Sequence, residues 1–321
     1  MIALLIEKSR PAVLPVAACL LGTAVIPGHS WILDLSRNFL MHALGGCCLI
    51  FLLAIYSKQH VASAVSGAIL IAALVQIAGV LQTDTVTLHA GPSTSRASIT
   101  IASFNMAMGR ASKPAVLDYI LEQQPDIIFL QEYNQDWRDF MRTLEPSYPS
   151  TIRSIRSDAF GIAALTRLEP VDLAIDTFDS STIPYVRLVV TLEDQPTLLL
   201  GVHFDWPLTP ASFAARNEQI AEAQLMAKTS KMPVAICGDM NLTPWSLWYR
   251  DFLRGADLAG VAGLKGVSGT WPGTLGRAGI AIDHCLTTRP LHIITRKISP
   301  PLGSDHRAVI YEVRLAGAFS R

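Results

Sequence analysis

Residues 61–81 form a continuous apolar run with no charged side chain, and this run constrains the fold more than any other feature. Its polar groups are Gln76 and small hydroxyls. Buried helices of globular proteins normally keep a polar face, whereas about 20 apolar residues are what a helix needs to cross about 30 Å of hydrocarbon. Two further apolar stretches precede it, Pro11–Ile26 (interrupted by prolines) and Phe39–Tyr56. Lys8 and Arg10 before the first stretch also fit the positive end of a cleaved signal peptide. Two spans follow at once, however, and a secreted enzyme has no need of them. Three transmembrane helices are therefore expected in a membrane domain over residues 1–82.

Composition agrees. Half of the 321 residues are apolar and 16% are charged, against about 25% in a soluble globular chain. The formal net charge is zero, so no global field gathers nucleic acid or another polyanion. Lys8 and Arg10 precede the first span and Lys58 lies between the second and third, while Arg37 is offset by Asp34. This Lys/Arg bias favours an inside N-terminus. Three crossings then put the rest of the chain on the outer face of an inner or plasma membrane.

The five cysteines show no disulfide framework and no zinc spacing. Cys19, Cys47 and Cys48 lie in apolar runs, and Cys237 and Cys285 in strand-like ones.

Residues 83–98, rich in Thr, Ser, Gly and Pro, mark a linker. Short β-rich runs then alternate with helical ones over a second domain, residues 99–321. Strands are expected at Ile99–Phe104, Asp126–Leu130, Gly161–Leu165, Tyr185–Leu192, Thr197–Val202, Val234–Cys237, Ala281–Leu286 and Ala308–Val313. Helices are expected at Ala115–Glu122, Ala211–Lys228 and Ser246–Leu253, with Pro114 and Pro244 near two of the starts.

Polar groups collect where these strands end. Asn105 follows the first strand and Gln131-Glu132 the second; a carboxylate there is either a solvated strand end or a ligand. His203 closes another apolar strand, where a histidine is more often structural. In Cys237-Gly238-Asp239-Met240-Asn241 the glycine permits a sharp turn that brings an acceptor and an amide to one point. An Asx turn leading into the next helix reads equally well. Asp283 interrupts an apolar strand and needs a partner or a task, and Asp305-His306 stands before the last strand. Together Asn105, Glu132, Asp239, Asn241, Asp283, Asp305 and His306 are oxygen-rich and free of cysteine, which suits a hard cation such as Mg2+ or Mn2+. With His203 they supply what phosphoester hydrolysis requires: charge neutralisation, an oriented water and donors to phosphoryl oxygens.

In this order, Ser103-Phe104-Asn105, Pro125 to Glu132, Val202-His203, Gly238-Asp239-Met240-Asn241, Ile282-Asp283-His284 and Ser304-Asp305-His306 resemble the endonuclease/exonuclease/phosphatase family. Gly269-Thr270-Trp271-Pro272 is similar to a segment of bacterial members. The resemblance covers about Ile99 to Leu315. It implies an α/β chain built as a four-layer sandwich, two packed β-sheets flanked by helices. It also implies roles. Glu132 is the principal metal ligand, with Asn105 and Asp305 on the metal side. Asp239 orients or deprotonates water, Asn241 holds the phosphate, and His306, oriented by Asp283, contacts the scissile phosphate or protonates the leaving group. His203 is a second catalytic histidine, and Arg187 and Tyr185 are looser candidates for phosphate contacts.

The expected function is therefore metal-dependent hydrolysis of a phosphodiester or phosphomonoester near the bilayer, with a lipid-linked phosphate as one candidate. A nuclease is the runner-up, because the long loops that grip DNA in nucleic-acid-cutting members are not evident. A non-catalytic binding module is the reading from another class, and the filled motif positions speak against it. The bilayer and the phosphoester are the partners implied; no obligate protein partner is evident.

Overall fold

The computed structural model describes residues 26, 28–82, 98–261 and 263–315. The chain divides into two compact units, one of residues 1–83 with 243–249, the other of residues 84–242 with 250–321. The short segment 243–249 belongs with the N-terminal unit.

In that unit, α1 (Trp31–Asn38), α2 (Leu40–Tyr56) and α3 (His60–Gln82) follow one another. Helix α3 holds the charge-free run and is long and apolar enough to cross a membrane, with a mean hydropathy of 2.2 over His60–Val80. The expectation of three spans is corrected here. Among the described residues one helix passes by itself, or up to two if the pair α1 and α2, bent by 73°, is one broken span. The physical reason is length: 17 residues of α2 rise about 26 Å at about 1.5 Å each, short of the hydrocarbon thickness. Helix α1 is not apolar throughout. It buries Asp34, Arg37 and Asn38; Ser246 donates to Asp34 Oδ1 and Thr243 Oγ1 to Asn38 Oδ1 at 2.8 Å. The expected first span, Pro11–Ile26, lies outside the described residues except for Ile26, and so does the linker up to Ser98.

Among its described residues the second unit has twelve strands: β1 (Ser98–Asn105), β2 (Ile127–Gln131), β3 (Ser150–Ser154), β4 (Ile162–Thr166), β5 (Asp172–Thr177), β6 (Pro184–Leu192), β7 (Gln195–His203), β8 (Val234–Asp239), β9 (Leu258–Ala259), β10 (Asp283–Thr288), β11 (Leu291–Ile298) and β12 (Val309–Leu315). They form two six-stranded sheets, ordered β11-β12-β1-β2-β4-β3 and β5-β6-β7-β8-β10-β9. The eight strands expected from sequence are all present. The four that were not expected, β3, β5, β9 and β11, are the four sheet edges.

Successive strand residues point to opposite faces, and β1 and β2 show why their sequences are apolar throughout. Ile99, Ile101, Ile127 and Phe129 pack between the sheets with Val186, Leu188, Leu199 and Cys237. Ala102, Phe104, Ile128 and Leu130 face the other way, against Val116, Ile120 and Trp137. Those residues come from α4 (Lys113–Gln123) and α5 (Gln135–Met141), and the longest helix of the unit is α6 (Pro210–Thr229). Helix α6 starts with a reciprocal capping box between Thr209 and Ser212 and has proline in its first turn, the arrangement that satisfies two orphan N–H groups at a helix start. A further helix, α7 (Leu247–Gly255), lies after the segment bearing Pro244.

Cys237 and Cys285 stand opposite each other in the antiparallel β8–β10 pair and are joined as a disulfide. The cysteines thus form no framework, but one bond crosses the core, because the strand register that sequence did not reveal sets these two side by side.

Candidate active site

Both sheets have a central parallel pair, β1 with β2 and β7 with β8. In each, the last residues of the two strands are register partners: Asn105 faces Gln131, and His203 faces Asp239. Strand β10 runs antiparallel to β8 and begins with Asp283 directly opposite Asp239. Topology alone therefore places Asp239, Asp283 and His203 at one end of one sheet.

The turns that follow are held in left-handed backbone conformations: φ is 56° at Glu132, 47° at Asn241, and 51° and 50° at Ala107 and Met108. Such conformations are uncommon for residues other than glycine and cluster at functional sites. Gly238 carries φ 154°, and a Cβ there would stand 1.9 Å from the carbonyl oxygen of Val202. Only glycine lets β7 approach β8 this closely just before Asp239.

Asp239 is the centre of the cluster. Asn105 Nδ2 donates to its Oδ2 at 2.9 Å and to Glu132 Oε1 at 3.0 Å. The Asn105 oxygen accepts from the Ala107 N–H at 2.9 Å, which fixes the amide with its NH2 toward the carboxylates. His203 Nε2 and His306 Nε2 each lie 3.6 Å from Asp239 Oδ2. His306 Nδ1 meets Asp283 Oδ2 at 3.0 Å. The other Asp239 oxygen accepts from the Asn241 N–H at 3.0 Å, and Asn241 Nδ2 donates to the Phe204 carbonyl at 2.9 Å. All but Glu132 and Asn241 of this group are buried, with those two half-buried.

Charge is unevenly distributed among these groups. Burial pushes the carboxyls of Glu132 and Asp239 up, and neighbouring His203 and His306 offset only part of that. Burial also works against ionised Asp283, but adjacent His306 outweighs it and holds that carboxyl below the usual range. For His306 burial disfavours the cation, yet Asp283 and Asp239 raise its pKa to about 10. The resting site thus holds an Asp283 carboxylate paired with a His306 imidazolium.

Two carboxyls destabilised by burial, sharing one amide donor, form a site short of positive charge. Asp283 Oδ1 and His203 Nδ1 are buried with no hydrogen-bond partner among the described residues. Ligand atoms of Asp239, Asp283 and His306 lie within 4.8 Å of one another. This donor set fits a hard divalent cation. Because Nδ1 of His306 is engaged by Asp283, carboxylate oxygens of the cluster would hold such an ion.

The remaining candidates lie apart. Asp305 is half-buried, with its Oδ2 accepting from Trp271 Nε1 at 3.4 Å. It adds to the field on His306. Arg187 is bound across the sheet edge to Asp172 and, at 2.7 Å, to Asp176, so its charge is taken up by β5 rather than turned to the cluster. Tyr185 stacks on Phe178 at 4.7 Å, which in turn meets Phe204.

Three supporting residues carry no signal of their own in the sequence. Ser304 Oγ donates to the Asn105 carbonyl at 2.7 Å and accepts from His306 N–H, tying the end of β1 to the segment that enters β12 in the same sheet. Thr270 Oγ1 accepts from the backbone N–H of Ile282 and Asp283. Buried Arg216, on α6, donates to the Asn241 carbonyl at 3.0 Å and stacks over Phe213. Ser304 and Thr270 fall inside motif segments already singled out, whereas Arg216 is a helix arginine that only the folded contact distinguishes.

Comparison with known proteins places the chain in a family and its fold among solved structures. The model of the Endonuclease/Exonuclease/phosphatase family matches residues 102–306, well over half of the chain. The chain belongs to that family. No curated protein matches the sequence. Among solved structures, a humanised D. rerio TDP2 is similar at 17% identity over 68% of this chain and 99% of that one, with a TM-score of 0.55. The human Nocturnin catalytic domain is similar at 17% identity over 68% and 95%, also with a TM-score of 0.55. An endonuclease/exonuclease/phosphatase from Beutenbergia cavernae gives 16% identity over 70% and 73%, with a TM-score of 0.58. These likenesses show a common fold.

Proposed function

We propose that the protein is a divalent-metal-dependent phosphoesterase that hydrolyses a phosphodiester or phosphomonoester close to a membrane surface. The observation that carries this reading is the convergence of Glu132, Asn105, His203, Asp283 and His306 on Asp239. Glu132 is the principal metal ligand, clamped by Asn105, with Asp305 on the same side. Mg2+ or Mn2+ held there supplies positive charge to phosphoryl oxygens.

Asp239, its carboxyl raised by burial, is suited to orient and deprotonate the attacking water. Its Oδ1 accepts from the Asn241 N–H and its Oδ2 from Asn105 Nδ2, which together fix the carboxyl for that task. As an imidazolium, His306 donates its Nδ1 proton to Asp283 in a hydrogen bond and keeps its Nε2 proton toward the cluster. It donates to a phosphoryl oxygen or to the leaving group. Asn241 and His203 complete the donors around the phosphate.

The apolar helix α3 supports membrane attachment. With α3 as the crossing helix, Lys58 just before it favours an inside start and so supports an outer-face catalytic domain, and a lipid-linked phosphate is the substrate that fits such a position. The test is phosphate release by the full chain from phospholipids, polyprenyl pyrophosphates, inositol phosphates and DNA, with and without a divalent cation. Cation-dependent release from a lipid-linked substrate bears the proposal out. Preference for DNA replaces it with the nuclease reading, and no release from any of them leaves only a binding module.

A further inference from the structure

At the end of the second sheet opposite the cluster lies a cavity of about 540 Å3. It is bounded by Gln195 at the start of β7, by the α6–β8 connection, by the end of α7 and by the β10–β11 turn. Strand β8 separates it from Asp239, at about 17 Å for five steps of strand. The volume is in the range of small-molecule sites.

Its charge is one-sided. Lys228, Lys231, Arg254 and Arg289 line it, against one acid, Asp257. Asp257 is taken up by Arg289 at 3.6 Å, which leaves Lys228, Lys231 and Arg254 with no acidic partner among the described residues. Lys228 and Arg254 stand in the last turns of α6 and α7, where a helix dipole favours a cation. Lys231 lies in a connection and gains nothing from a dipole. In a chain of zero net charge, these three exposed cations make the rim of one hollow locally positive, a field that favours an anion.

We propose that this cavity is a second, non-catalytic binding site for a small multivalent phosphate, such as a diphosphate or a phosphorylated headgroup. Lys228, Lys231 and Arg254 are its recognition groups. Their ammonium and guanidinium donors make charge-assisted hydrogen bonds to phosphate oxygens, and the hollow is too small for a nucleic-acid duplex. The ligand reaches it either free in solution or as the headgroup of an anionic lipid.

The experiment uses the full chain in nonionic detergent with EDTA present, titrated with inorganic diphosphate by calorimetry. A triple variant, Lys228→Gln, Lys231→Gln and Arg254→Gln, is compared with Asn241→Ala, which alters the catalytic end. The proposal expects binding that weakens with salt, falls about tenfold for each cation removed, and is unchanged in Asn241→Ala. A second arm replaces diphosphate with nanodiscs containing or lacking anionic phospholipid. Selective retention of the wild type assigns the ligand to the lipid surface, and binding of diphosphate alone assigns it to solution. Wild-type affinity in a triple variant that melts like the parent overturns the site, and so does binding that only Asn241→Ala removes. Single-cation variants repeat the test if the triple variant does not fold. This site does not depend on the proposed activity: hydrolysis by the triple variant reports on one, and diphosphate binding in EDTA on the other.

Discussion

Asp239 and Asp283 face each other directly across the antiparallel β8–β10 pair, yet burial and neighbours drive their carboxyls in opposite directions. Asp283 has the His306 ring nitrogen at 3.0 Å and stays ionised, whereas Asp239 is pushed up by burial. Two identical side chains in one register position thus rest in different charge environments, one against an imidazolium and one disfavoured as an anion by burial.

The first consequence concerns His306. His306→Ala is expected to lower turnover about 10²- to 10⁴-fold, the usual loss for a general acid or a transition-state donor, while metal affinity is retained. Steady-state kinetics with metal-binding calorimetry checks it. Turnover near the wild-type value removes His306 from the reaction.

Metal removal is the second. Exhaustive EDTA treatment should abolish hydrolysis and Mg2+ or Mn2+ should restore it, because half-buried Glu132 and buried Asp239 are carboxyls short of a countercharge. Glu132→Gln should shift the metal titration to higher concentration. Full activity after chelation contradicts the metal reading.

The third concerns Gly238. A Cβ at this position meets the Val202 carbonyl oxygen at 1.9 Å, in backbone that L side chains rarely adopt. Gly238→Ala should therefore destabilise the catalytic unit by about 2–4 kcal/mol, read as a lower denaturant midpoint. An unchanged midpoint means that β7 and β8 can separate at no cost.

Acid stability supplies the fourth. Burial lowers the His284 pKa to about 4, with Nε2 bonded to the carbonyls of Leu242 and Ala281. The unfolded chain takes up this proton near pH 6.5 and the folded one near 4. A depressed folded pKa gives stability that is complete above about 6.5 and is lost as pH falls toward 4. His284→Gln should flatten that part of the denaturant-midpoint profile. A variant profile parallel to that of the wild type shows that other groups carry the acid sensitivity.

Membrane orientation is the fifth. Alkaline phosphatase needs an oxidising compartment to fold. Fused after Leu315 it should be active, and fused within residues 57–60 inactive. The reverse pattern moves the catalytic unit to the cytoplasm and the substrate search to intracellular phosphoesters.

The central strands were legible because each is buried on both faces. A run such as Ile127-Ile128-Phe129-Leu130 has few alternatives to a core strand, and the polar residue that ends it is conspicuous. Edge strands such as Ser150–Ser154 and Asp172–Thr177 are half-buried, so their sequences mix polar and apolar residues and read as loops. Hydropathy overstated the count of membrane spans, because the apolar stretch from Phe39 folds into a helix of 17 residues, short of the hydrocarbon thickness.

The amino-acid sequence determined which residues could serve as ligands, base and acid, since a carboxylate, amide or imidazole closing an apolar strand is costly unless it is used. It determined the charge-free helix α3 for the same reason: no water-exposed face exists for such a run. Only the tertiary structure decided which of the polar ends meet. Asn105 and Asp239 are 134 residues apart and become hydrogen-bond partners because two sheets stack with their parallel pairs ending together. Folding likewise turned Arg187 to Asp172 and Asp176, engaged Arg216 behind Asn241, and set Cys237 beside Cys285. Strand register and sheet stacking fix these pairings, and both arise from burial summed over the whole core, which no local stretch of sequence encodes.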